Sequence, residues 1–117
     1  GGAHYFLERR LGETKAKHLI WEGKKLNSSQ ALEIGLIDDV ISGDFEQEIK
    51  ERVKSILQKP VSAMIQTKQI YCENNLESLK NVLLFEKNGQ GAMRKTLDHQ
   101  EGVQAFLQKR LPVFTGK

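Results

Sequence analysis

Glu86 is the carboxylate with the most chemical promise in this 117-residue chain, because it closes the apolar run Leu83-Leu84-Phe85. An acid in such a setting can have its pKa raised towards general-base work. The simpler reading is a structural glutamate, buried and hydrogen-bonded. Glu8, beside Arg9 and Arg10, reads as part of a solvated helix face. His99 lies between Asp98 and Glu101, and the three resemble the start of a ligand set. The spacing is better explained as a capping box, with Asp98 accepting an orphan N–H and Glu101 reaching back to the cap N–H. His4, His18 and His99 lie far apart, none with a partner at metal-ligand spacing. Cys72 is the one cysteine, and Ile70-Tyr71-Cys72 reads as helix packing rather than as a reactive thiol. Gly1-Gly2 lacks the glycine spacing and downstream lysine of a phosphate loop. Spacing alone therefore supplies no credible active site.

The elements that would position these groups are mainly helical. Ala3 to Leu11 forms a short helix stopped by Gly12, and Glu13 to Glu22 a second stopped by Gly23. Asn27 and Gln30 make a capping box for a third, which ends at Gly35. Leu36 to Ile41 is short and β-branched between turn residues, so a brief strand is expected there, with a partner outside the chain. Asp44 caps an amphipathic helix carrying Phe45, Ile49, Val53, Ile56 and Leu57, closed by Pro60. A helix from Pro60 to about Asn74 and another from Leu76 towards Gly89 follow. Asp98 then opens a last helix that ends before Pro112. The organisation predicted is residues 1–41 as one part and residues 42–117 as a helical second part.

Composition narrows the function classes. With 38% hydrophobic and 28% charged residues, the chain is ordinary globular material. The +3 net charge comes from interspersed signs with few aromatics, so no nucleic-acid surface is expected. No apolar run approaches the ~20 residues that cross a bilayer, so no membrane partner is expected. A lone cysteine and the lack of a basic leader before an apolar segment fit a reducing, cytoplasmic compartment.

Taken in order, several segments resemble the enoyl-CoA hydratase/isomerase (crotonase) family. Gly1-Gly2-Ala3 followed by Leu11-Gly12 is similar to its glycine pair and leading helix. Ala16, Leu19, Gly23, Leu26 to Ala31 and Gly35 to Asp38 resemble the run that follows, and Lys68 and Glu86 fit the same template. The most specific piece is the closing pattern Asp98, Glu101, Gly102, Ala105, Phe106, Lys109, Arg110, Pro112, Phe114 and Gly116. The resemblance implies the tail of a crotonase-type α/β spiral followed by a C-terminal helical oligomerisation region. It implies an acyl-CoA as substrate with no further cofactor, and a homo-oligomer, a trimer or dimer of trimers. The groups of the oxyanion hole and the reacting glutamates would lie on an N-terminal spiral upstream of Gly1. Lys109 matches a position that reaches CoA phosphates, against the plainer reading of a solvated lysine at a helix end. Its usual aromatic companion falls near Arg94, a departure from the hydratase pattern. Hydration or double-bond isomerisation are the leading reactions. Dehalogenation, decarboxylation and thioester hydrolysis on the same scaffold, or a non-catalytic assembly module, are the alternatives.

Overall fold

The computed structural model describes residues 1–117 as six helices without a strand. Helix α1 spans Ala3–Leu11, α2 Glu13–Glu22, α3 Ser28–Glu33, α4 Phe45–Leu57, α5 Val61–Met93 and α6 Leu97–Leu107. The mainly α reading holds, and so do the stops at Gly12, Gly23 and Gly35, each at positive φ. Asn27 and Gln30 form the reciprocal capping box, and Asp44 accepts from the Gln47 N–H. These signals are local, so the sequence carries them directly.

Three expectations are corrected. Residues 34–43 form turns, bends and irregular chain in place of a strand over Leu36 to Ile41. Arginines hold this stretch: Arg10 donates to the Leu36 carbonyl and to Asp38, and Arg52 to Asp39. Second, the helix break near Asn74 is absent, and α5 runs through 33 residues, about 50 Å at 1.5 Å per residue. Asn75 stays in that helix by donating to the Tyr71 carbonyl one turn back. Third, the N-cap of α6 is Thr96, whose hydroxyl accepts from the His99 N–H at 3.1 Å. Asp98 and Glu101 lie inside the helix and form no capping box.

Helix α1 runs antiparallel along α5, attached at two points. At its start, Gly2 and His4 meet Glu86; further along, the Tyr5 hydroxyl and Arg9 donate to Asn75. Tyr5 is only 5% exposed, and the Arg9 guanidinium lies 4.5 Å from its ring centroid. Helix α2 packs against α1 through the buried Ala16.

Few side chains are enclosed. The radius of gyration is 19.6 Å, whereas a compact domain of this length has about 13–14 Å. The accessible surface is 10081 Å², against about 6,500 Å² for a compact monomer of this mass. Helix α4 has no buried residue, and Phe85, Phe106 and Leu111 stand largely exposed. No helix is long and apolar enough to cross a membrane.

Candidate functional site

Two clusters gather the residues singled out above. The first lies where the chain start meets α5. Helix α1 begins without a side-chain cap of its own, since Gly2 occupies the N-cap position at φ 93°. The Glu86 carboxylate supplies the missing acceptors from 84 residues away. One oxygen accepts the Gly2 N–H at 2.5 Å, while the other accepts the His4 N–H at 3.0 Å and lies 2.8 Å from the His4 Nδ1. The Glu86 side chain is 8% exposed.

The Gly2 N–H, followed by the His4 side chain and the His4 N–H, holds the Glu86 carboxyl down to about pKa 2. Hydrogen bonds to the charged form outweigh desolvation here. A carboxylate this weakly basic is a poor general base near neutral pH, where a pKa close to the working pH is favoured. Glu86 is therefore the hydrogen-bonded structural glutamate that its position after an apolar run predicts. Gly1 lies against the same group: a Cβ there would sit 3.2 Å from Glu86 Oε2 and 3.2 Å from Leu83 Cδ2.

The second cluster is a clasp between α6 and the C-terminal tail. Asp98 accepts the Thr115 and Gly116 N–H groups, at 2.7 and 2.8 Å, and the Thr115 hydroxyl. Its own N–H donates to the Lys117 carbonyl. Glu101 takes both Arg110 terminal nitrogens, at 2.5 and 2.8 Å, and the Val113 N–H at 2.9 Å. Arg110 first, then Val113, holds the Glu101 carboxyl down to about 2, while Thr115 and Gly116 hold Asp98 below its usual range. The Phe114 ring passes over Gly102, where a Cβ would lie 3.6 Å from it. Asp98, Glu101 and Gly102 thus act together, but on partners up to 19 residues away, which helix spacing does not disclose.

Lys109 stands at the turn between α6 and the tail, with φ 53°, the one non-glycine residue at positive φ. The Arg110 N–H bonds the Ala105 carbonyl and the Lys109 N–H the Phe106 carbonyl, a Schellman closure with lysine at the position glycine usually fills. An open apolar hollow of about 630 Å³ lies beside this turn, lined in part by Met93, Val103, Phe106 and Phe114. Cys72 is exposed on α5, not packed. Thr96, Arg10 and Arg110 were missed as positioning groups, although Thr96 is a common N-cap residue type just before the apolar run.

The division of labour in the clasp is testable. Thr96→Ala is expected to cost about 0.5–2 kcal/mol by loss of the cap, read as a lower denaturation midpoint. Asp98→Ala should chiefly release residues 115–117, read as faster amide exchange at Thr115 and Gly116. Unchanged exchange there in Asp98→Ala would sink the assignment.

Comparison with known proteins extends over the full chain. The family model described as enoyl-CoA hydratase/isomerase matches residues 1–117. This chain belongs to the enoyl-CoA hydratase/isomerase family. It is 48% identical over 114 residues to YhaR of Bacillus subtilis, a protein named for that activity pair, covering 97% of this chain and 45% of the relative. It is 31% identical over 117 residues to the trans-2-decenoyl acyl-carrier-protein isomerase of Streptococcus mutans, covering 99% of this chain and 44% of that protein. The solved structure of Pseudomonas aeruginosa DspI is similar at TM-score 0.55 and 25% identity, over 97% of this chain and 44% of that one. The chain spans less than half the length of the relatives it matches.

Proposed function

We propose that this chain is the C-terminal part of an acyl-CoA enzyme that hydrates a 2-enoyl-CoA or moves its double bond, within fatty-acid or related acyl-CoA metabolism. The observation that carries it is the family match through all of residues 1–117. The reacting groups of the whole protein lie upstream of Gly1. They would comprise backbone N–H donors that stabilise the thioester enolate and glutamates that handle water and the α-proton. In hydration, water oxygen bonds the β-carbon and a proton goes to the α-carbon. The carboxylates of this chain that the geometry singles out are committed elsewhere: Glu86 to α1, Asp98 and Glu101 to the tail. Residues 1–41 would complete the spiral, and residues 42–117 form the helical region of a cytoplasmic homo-oligomer, a trimer or dimer of trimers. The uncovered apolar surface of α4 and α6 fits that role. No cofactor is required beyond the acyl-CoA substrate itself.

Lys109 would meet a CoA phosphate. Its left-handed backbone, which costs a lysine more than a glycine, supports a purpose for the side chain at this turn. The test is turnover of crotonyl-CoA and of a 3-enoyl-CoA by the full-length protein and by the 117-residue chain. Turnover of ~1–10³ s⁻¹ is expected of the full-length protein, with none above background from the chain alone. Lys109→Ala in the full-length protein should weaken CoA binding most at low salt, where screening is slight. A full-length protein inert towards both thioesters overturns the reading, as does an active 117-residue chain.

A further inference from the structure

We infer that Glu86 is a positioning residue: from α5 it fixes how the backbone passes through Gly1 and Gly2 into α1, and with it the placement of the segment preceding Gly1 in the whole protein. The inference rests on the functional reading above. Four observations carry it.

The first is the lack of any local cap. Ordinary helix starts use a Ser, Thr, Asp or Asn at the N-cap, as α3, α4 and α6 do. Helix α1 has a glycine there and takes its acceptors from another element. The second is that both carboxylate oxygens are used, one on Gly2 and one on His4. A single acceptor sets a distance, whereas two oxygens in one plane bonded to two amides set a direction as well.

The third is the support beneath the carboxylate. It projects from a long helix, two turns before its end, and is largely enclosed. Its position on α5 is 11 residues from Asn75, which holds the other part of α1 through Tyr5 and Arg9. Two attachment points on one rod leave α1 little freedom to pivot. The fourth is Gly1, whose backbone lies so near Leu83 and Glu86 that a methyl group would press on both. The incoming chain is thereby held directly against α5.

Catalysis is sensitive to such placement, since a displacement of about 1 Å made far from the reacting atoms can cost 10²-fold in rate. The experiment uses the full-length protein with Glu86→Gln and Gly1→Ala, assayed with crotonyl-CoA below the onset of melting for every variant. Amide exchange across Gly2–His4 is measured alongside. Gln keeps the size but replaces one acceptor by a donor; Ala at position 1 keeps the carboxylate but crowds the backbone. For both, kcat is expected to fall about 10–100-fold with KM within about threefold. Glu86→Gln should also exchange faster at Gly2 and His4, and no faster at Thr115. Wild-type kcat in both variants, or unaltered exchange at Gly2 and His4 in Glu86→Gln, overturns the inference. A wild-type protein that turns over no enoyl-CoA refutes the functional reading instead, and the exchange measurement then decides the role of Glu86 alone.

Discussion

Valine at position 2 is expected to lower the stability of the fold by about 1–3 kcal/mol, the cost of holding a non-glycine residue in sparsely populated backbone space. Gly2 is buried at φ 93°, a region that a β-branched residue enters only as an outlier. Space is also short. A Cβ at Gly2 would lie 3.0 Å from Phe6 Cε2 and 3.1 Å from Cδ2, so the ring must give way before the extra methyl groups are placed. Gly23 provides an internal comparison, because it too is left-handed but has open space around its Cβ position. Gly23→Ala carries the backbone cost alone, and Gly2→Ala carries both. The midpoints of urea denaturation should fall in the order wild type, Gly23→Ala, Gly2→Ala, Gly2→Val. A Gly2→Val midpoint equal to wild type would show that α1 does not start as described.

The second large effect is in pH. The Glu86 carboxyl has a folded pKa of about 2 against an ordinary 4.5, so the unfolded chain binds its proton first as pH falls. Its stabilisation is fully present above about 4.5 and is lost as pH drops from there towards 2. Allowing for the exposed His4 ring beside it, we expect about 1–3 kcal/mol from this group, in line with hydrogen bonds to a charged acceptor. Glu101 is displaced in the same direction and over the same window by Arg110 and Val113, although its exposure leaves it more screened. Melting temperature should therefore be level from pH 7 to 5 and fall between 4.5 and 2. Glu86→Gln should start lower at pH 7 and fall less across that window. A wild-type curve flat to pH 2.5, or a variant with the same acid slope, would remove Glu86 from the account.

The contrast between what could and could not be read beforehand follows the range of each interaction. Gly12, Gly23, Asn27, Gln30 and Asp44 act on backbone within four residues, so their types and spacing state their roles. Asp98 and Glu101 have the spacing of a capping box yet bond the tail 9–18 residues on. The same oxygens serve either purpose, and only the folded chain decides which. Thr96, two residues earlier, takes the cap instead. Leu36 to Ile41 has strand composition but no neighbouring strand, and Arg10 and Arg52 hold it by its carbonyl and carboxylates. A break was expected near Asn74, and asparagine does commonly favour turns. Here Asn75 satisfies its side chain within the helix and against Arg9. Of the candidate site, Glu86 was legible as structural from the apolar run before it. Its partners Gly2 and His4 were not, being more than 80 residues away.

The sparsely enclosed architecture has a calorimetric meaning. A chain of this mass exposes about 19,000 Å² when unfolded, so folding into a surface of 10081 Å² removes about 9,000 Å² from water, where a compact monomer removes about 12,500 Å². Heat capacity of unfolding and denaturant slope both scale with that change, and each is about a quarter to a third below the ordinary value for 117 residues. Stability of the separate chain therefore varies gently with temperature and urea. Helices α4 and α6 are expected to loosen ahead of the α1–α5 junction, whose own transition is the one that substitutions at Gly2 and Glu86 shift.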